Sequence, residues 1–120
     1  MNDQEIENEL QAKGLTAPRV TLEDIENNII DERYFTAGDG IRGKSYGLSM
    51  LVPERLDRIT LCVLTLSNGF NVVGVNAGPV SPENFDAQLG RKLARQNAID
   101  QIWPLMGYAL RDRLSRGELG

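Results

Sequence analysis

"RITLCVLTLSNGFNVVGVNAG", residues 58–78, decides the fold. Two runs rich in β-branched residues flank Asn68-Gly69. An Asn-Gly pair supplies the two positive φ angles of a type I′ turn, so the stretch is expected to be an antiparallel hairpin. Strands are expected at about 59–67 and 70–76. Cys62, the single cysteine, lies in the first apolar run and reads as a buried structural thiol.

On the C-terminal side, "VSPENFDAQLGRKLARQNAIDQI", residues 80–102, reads as a long helix over about 82–102. Ser81 suits the cap, Pro82 the first helical position, and Glu83 the positive end of the helix dipole. Pro104 lacks an N–H and is expected to interrupt the helix, with a second helix restarting in "PLMGYALRDRLSRG". At 100° per residue, Phe85, Leu89, Leu93, Ile99 and Trp103 share one arc and read as the core stripe. Ala87, Gly90, Ala94 and Ala98 share another arc, which suits either close packing on the protein's own sheet or self-association. A polar stripe of Asn84, Gln88, Arg91 and Arg95 lies between them. It reads either as a solvent-facing stripe or as a grip for phosphate.

On the N-terminal side, "TLEDIENNIIDERYF", residues 21–35, carries a near capping box at Thr21 and Asp24. Leu22, Ile25, Ile29 and Ile30 follow helical spacing, which predicts a helix over about 22–34. Residues 1–20 read as a peripheral segment with a short acidic helix and a mobile end. The expected organisation is one domain over 21–116 with a tail at 117–120. Its class is α+β: an antiparallel β-hairpin packed with a long C-terminal helix pair and a helical N-terminal segment. An exposed hairpin edge and short apolar faces make oligomerisation expected.

"GDGIRGKS", residues 38–45, spells G-x-x-x-x-G-K-S. A phosphate-binding P-loop needs an apolar strand before it and a helix that starts at the Gly-Lys-Ser end. Here the preceding segment has helical spacing, the following one meets Pro53, and no later apolar strand ends in an aspartate. The stretch therefore reads as a glycine loop carrying Arg42 and Lys44, able to close over an anion bound elsewhere.

Composition narrows the chemistry. The chain of 120 residues has no histidine and one cysteine, which removes the usual general base and makes a zinc site very unfavourable. Glu83 with Asp86 and Asp24 with Asp31 read as caps and solvated carboxylates. Seventeen acids against thirteen bases give a net charge of −4, so the whole chain is no nucleic-acid coat. Residues 82–116 nevertheless hold six bases, five of them arginine, which points to local anion binding or to a solvated helix face. No run is long enough to span a membrane, and the expectation is a soluble intracellular protein without catalytic machinery or cofactor.

Three stretches carry a family resemblance: "EDIENNIIDERYFTA", "TLCVLTLSNGFNVVGVNA" and "SPENFDAQLGRKLARQNAIDQIWPLMGYALR". Over about residues 22–111 they resemble the phage gene-49/gene-66 family of small proteins encoded by tailed phages and prophages. That family is similar to the first-described type of Thoeris anti-defence sponge. The resemblance implies a protein of the host cytoplasm that sequesters cyclic ADP-ribose isomers without cleaving them, and so evades immunity. Related members also hold cyclic trinucleotides and assemble as dimers and hexamers. The partners it implies are therefore a cyclic nucleotide signal and further copies of the chain, with no membrane and no long nucleic acid. Arg91, Arg95 and Arg111 are the candidates for phosphate, Phe85 for a wall against the base, and Asn84 or Asn97 for hydrogen bonds to base or ribose. Phe85, Asn97 and Arg111 lie in the matching blocks, whereas Arg113 is a candidate on chemistry alone. An accessory protein that binds and inhibits a host protein is the rival reading.

Overall fold

The predicted hairpin is the centre of a three-stranded antiparallel sheet in a computed structural model that describes residues 2–44 and 51–118. The strands are β1 (Ile29–Thr36), β2 (Thr60–Leu66) and β3 (Asn71–Asn76), in the order β1-β2-β3. Burial alternates strictly along β2, where Thr60, Cys62, Leu64 and Leu66 face inward. The hairpin loop is not the expected two-residue type I′ turn. The Leu66 carbonyl accepts from Gly69 N–H, the Leu66 N–H donates to the Phe70 carbonyl, and Gly69 takes the left-handed conformation (φ 89°). This is a three-residue loop of the type I plus bulge kind. Ser67 is drawn into it by Asn28, whose backbone and side-chain oxygens both accept from the Ser67 N–H.

β1 replaces the second half of the helix expected over 22–34. The helix α2 (Leu22–Asn28) forms as read, with a reciprocal Thr21–Asp24 capping box. At Ile29 the chain turns extended and pairs with β2, from Ile29 opposite Leu66 to Thr36 opposite Thr60, with a bulge at Ile30. Ile, Tyr, Phe and Thr favour a pleated surface, and the free edge of β2 supplies the partner that a short-range reading omits. An acidic helix α1 (Asp3–Ala12) precedes α2. It buries none of its residues and is held by polar contacts: Asp3 accepts from Trp103 Nε1 and Gln96 Nε2 at 3.3 Å each, and Glu7 pairs with Arg19.

Residues 36–44 are not a loop. Ala37–Lys44 form the helix α3, capped by reciprocal bonds between Thr36 and Asp39 (Asp39 N to Thr36 Oγ1 3.0 Å; Thr36 N to Asp39 Oδ2 2.9 Å). Arg42 then clamps α3 to the following turn, Glu54–Arg58, by a two-pronged bond to Asp57 at 2.6 and 2.8 Å. A Cβ on Gly38 would overlap the Asp57 carboxylate, so this glycine is needed for close approach. These tertiary bonds offset the low helix propensity of three glycines. Gly43 and Lys44 sit at the C-terminal end of α3, the opposite of what a P-loop requires. Ser45 lies outside the described residues.

The long helix α4 runs from Ala87 to Ser115 without a break. It starts later than expected: residues 82–84 make one 3-10 turn, and Asp86 caps α4 by accepting from Leu89 N–H at 2.9 Å. The expected helix pair is thus one helix, and the interruption at Pro104 does not occur. Pro104 and Asp100, whose carbonyl loses its donor, both lie on the solvent side, where water can replace the missing bond. The small-residue arc faces the protein's own sheet, with Gly90, Ala94 and Ala98 buried. A Cβ on Gly74 of β3 would overlap the backbone of Ala94 and Ala98, so the helix lies directly on that strand. The large-residue arc divides: Ile99 is buried and Trp103 half-buried under α1 and α2, whereas Leu89 (53 % exposed) and Leu93 (44 % exposed) have no covering element among the described residues. Ile25, Leu64, Leu66, Val72 and Ile102 complete the core between sheet and helices.

Candidate functional site

Because α4 begins only at Ala87, Asn84 and Phe85 are not on the polar helical stripe but in the turn that leads into it. Phe85 is half-buried, with its ring beside Gly90. It forms the wall between two small clefts. One, of about 120 Å³, is lined by Asn84, Pro79, Leu89 and Leu93. The other, of about 160 Å³, is bounded by Tyr34, Phe35, Asp39, Asp57 and Arg91. β1 and the clamped α3 therefore form the far side of the site; Tyr34 and Phe35 escape the sequence reading because their segment has helical spacing, and Asp57 because only the fold brings the turn Glu54–Arg58 against α3. The aromatic and β-branched run Tyr34-Phe35-Thr36 was the available signal.

Arginines divide by partner. Arg95 is engaged: Nε donates to Glu32 Oε1 at 2.8 Å, and one terminal nitrogen donates to both Glu26 oxygens at 2.6 and 2.9 Å. Burial alone would lower the Arg95 pKa, but the two carboxylates raise it instead. Burial would raise Glu32, and the hydrogen bonds from Arg95 and Tyr34 bring it below the ordinary carboxylate value. Tyr34 is pushed up by burial and by donating to Glu32 at 2.8 Å, and burial raises the Cys62 thiol, which leaves it inert. Arg95 thus fastens α4 to α2 and β1. Among the described residues, Arg91, Arg111 and Arg113 have no carboxylate within ion-pair distance.

The fold gathers Asn84, Phe85 and Arg91 at one end of α4 and leaves Arg111 and Arg113 at the other. Arg91 and Arg111 are separated by 20 helical residues, about 30 Å along the axis. Arg113 lines a wider, open cleft of about 550 Å³ with Arg19, Asn27, Asn28 and Met106, formed by α2, the hairpin loop and the end of α4. Asn97 belongs to neither place: its amide donates to the Val75 carbonyl of β3 at 2.7 Å. The expected lid residues also divide, Arg42 being held by Asp57 while Lys44 ends α3. No helix among the described residues is long and apolar enough to cross a membrane.

No curated protein and no solved structure matches the chain. One family model does, and it spans residues 20–114, which takes in α2, all three strands, the Phe85 turn and α4 to within one residue of its end. The chain belongs to the phage protein (N4 Gp49/phage Sf6 gene 66) family.

Proposed function

We propose that this phage protein is an anti-defence sponge, which binds a cyclic nucleotide immune signal such as a cyclic ADP-ribose isomer and holds it without cleaving it. The observation that carries the reading is Arg91, a guanidinium without an ion-pair partner among the described residues, on the wall of a cleft that it shares with the Phe85 ring. A guanidinium holds phosphate by paired, charge-assisted bonds, and an aromatic ring gives a base a flat apolar surface. Asn84, on the other side of the ring, supplies amide donors and an acceptor for base or ribose. Arg95 is left out of this assignment because two carboxylates already hold it. Arg111 contributes to the same ligand only from a second copy of the chain, since a length of α4 separates it from Phe85.

Isothermal titration with cyclic ADP-ribose isomers and cyclic trinucleotides tests the reading. Binding heat with at least one of them is expected, with the ligand recovered intact after denaturing the protein. Arg91→Ala should weaken binding at least tenfold, and Lys44→Ala only modestly. No heat and no shift in melting temperature with any of these ligands would overturn it.

A further inference from the structure

We propose that the open cleft at the far end of α4 binds an acidic peptide segment of a partner protein. The cleft measures about 550 Å³, and ligand sites commonly enclose roughly 300–1,000 Å³. It lies between α2, the hairpin loop and the end of α4, and it shares no lining residue with the two clefts at Phe85. The proposal therefore stands apart from the nucleotide reading.

The polar groups of this cleft are short of acceptors. Arg113 is exposed and, among the described residues, has no carboxylate within ion-pair distance. Arg19 gives one terminal nitrogen to Glu7, but its Nε is buried without an acceptor. The Asn28 amide donates to the Met106 thioether at 3.5 Å, a weak acceptor. Asn27, exposed on the lining, adds an amide that can meet the donor and the acceptor of a peptide group alike. Donors in this state call for a ligand rich in anionic and carbonyl oxygens.

The chain itself shows which group Arg19 takes. Glu7 is a carboxylate on α1, a helix that carries Asp3, Glu5, Glu7 and Glu9 and no base. The apolar lining of the cleft is aliphatic, from Val20, Met106, Ala109 and Leu110. Among the described residues it holds no aromatic ring on which a base would stack. Aliphatic side chains fit such a surface, and a methionine adapts to their shape. Carboxylates, peptide carbonyls and aliphatic groups together make an acidic peptide with apolar residues. Asp24, a carboxylate on the lining, is engaged in the capping box of α2, where it accepts from the Thr21 N–H at 2.9 Å and the helix dipole offsets its charge.

An array of acidic and neutral octapeptides, probed with the full chain, tests the proposal. Acidic peptides with aliphatic residues should be retained over neutral ones. The best of them, titrated by fluorescence anisotropy, should bind more weakly as salt rises. Arg113→Glu should weaken binding at least tenfold. The unfolding midpoint should stay unchanged, because the Arg113 guanidinium has no ion-pair partner to lose among the described residues. If Arg113→Glu fails to fold, Ala109→Glu, exposed on the same lining, puts a carboxylate into the cleft and should weaken binding in the same direction. An array without preference for acidic peptides would overturn the proposal. So would peptide binding that neither variant changes, or displacement of the bound peptide by a cyclic nucleotide, which would assign the cleft to a nucleotide.

Discussion

The Asn97 side chain donates its amide hydrogen to the Val75 carbonyl at 2.7 Å, and one turn later Gln101 does the same to the Val73 carbonyl at 2.6 Å. Both carbonyls belong to the outer edge of β3, so α4 closes a sheet edge with side chains instead of a further strand. The same pair holds the helix in register over Gly74, where the two backbones are closest. Asn97→Ala and Gln101→Ala should each cost about 1 kcal/mol of stability. The double variant should also scatter more light on concentration, because the edge is then open to strand addition. Urea unfolding and light scattering are the measurements.

The closeness of α4 to β3 predicts opposite effects at two glycines. Gly74→Ala places a methyl group into the helix backbone and should destabilise by roughly 1–3 kcal/mol, as overpacking does. Gly107, inside α4, has nothing within 4 Å of its missing Cβ. Gly107→Ala should stabilise by about 0.5–1 kcal/mol through lower backbone entropy in the unfolded chain. Denaturant midpoints of the two variants, with unchanged slopes, would establish the pair of signs.

The Arg95 clamp should depend on pH through Glu32. Its folded pKa lies below its unfolded value, so the unfolded chain takes up its proton first as pH falls. The stabilisation is therefore complete above the ordinary carboxylate range and is lost as pH falls through the lowered folded value. Thermal unfolding of wild type and Glu32→Gln at neutral and acid pH should give a difference that shrinks on acidification. Arg95→Ala should cost about 1 kcal/mol at neutral pH, modest because the partners are about a third exposed.

α3 should depend on one ion pair. With three glycines among its eight residues, Ala37–Lys44 has little propensity of its own, and Arg42 with Asp57 is its tertiary anchor. Asp57→Asn keeps the size of the side chain but removes the charge that holds the guanidinium. Amide hydrogens of residues 37–44 should then exchange faster, with those of β2 and α4 unchanged. Equal exchange in both proteins would show that the capping box of Thr36 and Asp39 is enough to hold the helix.

Some of this was legible in the residues themselves. The alternation along 60–66, the β-branched run at 71–76, the Thr21 cap and the apolar and small-residue spacing of α4 are local patterns, and local sterics and hydrogen bonding decide them. So is the identity of the family, which rests on the order of residues over most of the chain. What the tertiary structure decided involves residues far apart in sequence. Ile29–Thr36 becomes a strand because β2 presents an unpaired edge, and Ala37–Lys44 a helix because Asp57 waits 15 residues on for Arg42. Arg95 and Arg91 share one sequence motif, yet only the packing of α2 and β1 beneath α4 assigns two carboxylates to the first and leaves the second facing the cleft. A charge reads alike anywhere in a sequence, and only its neighbours in space determine whether its field is spent within the fold or offered to a ligand.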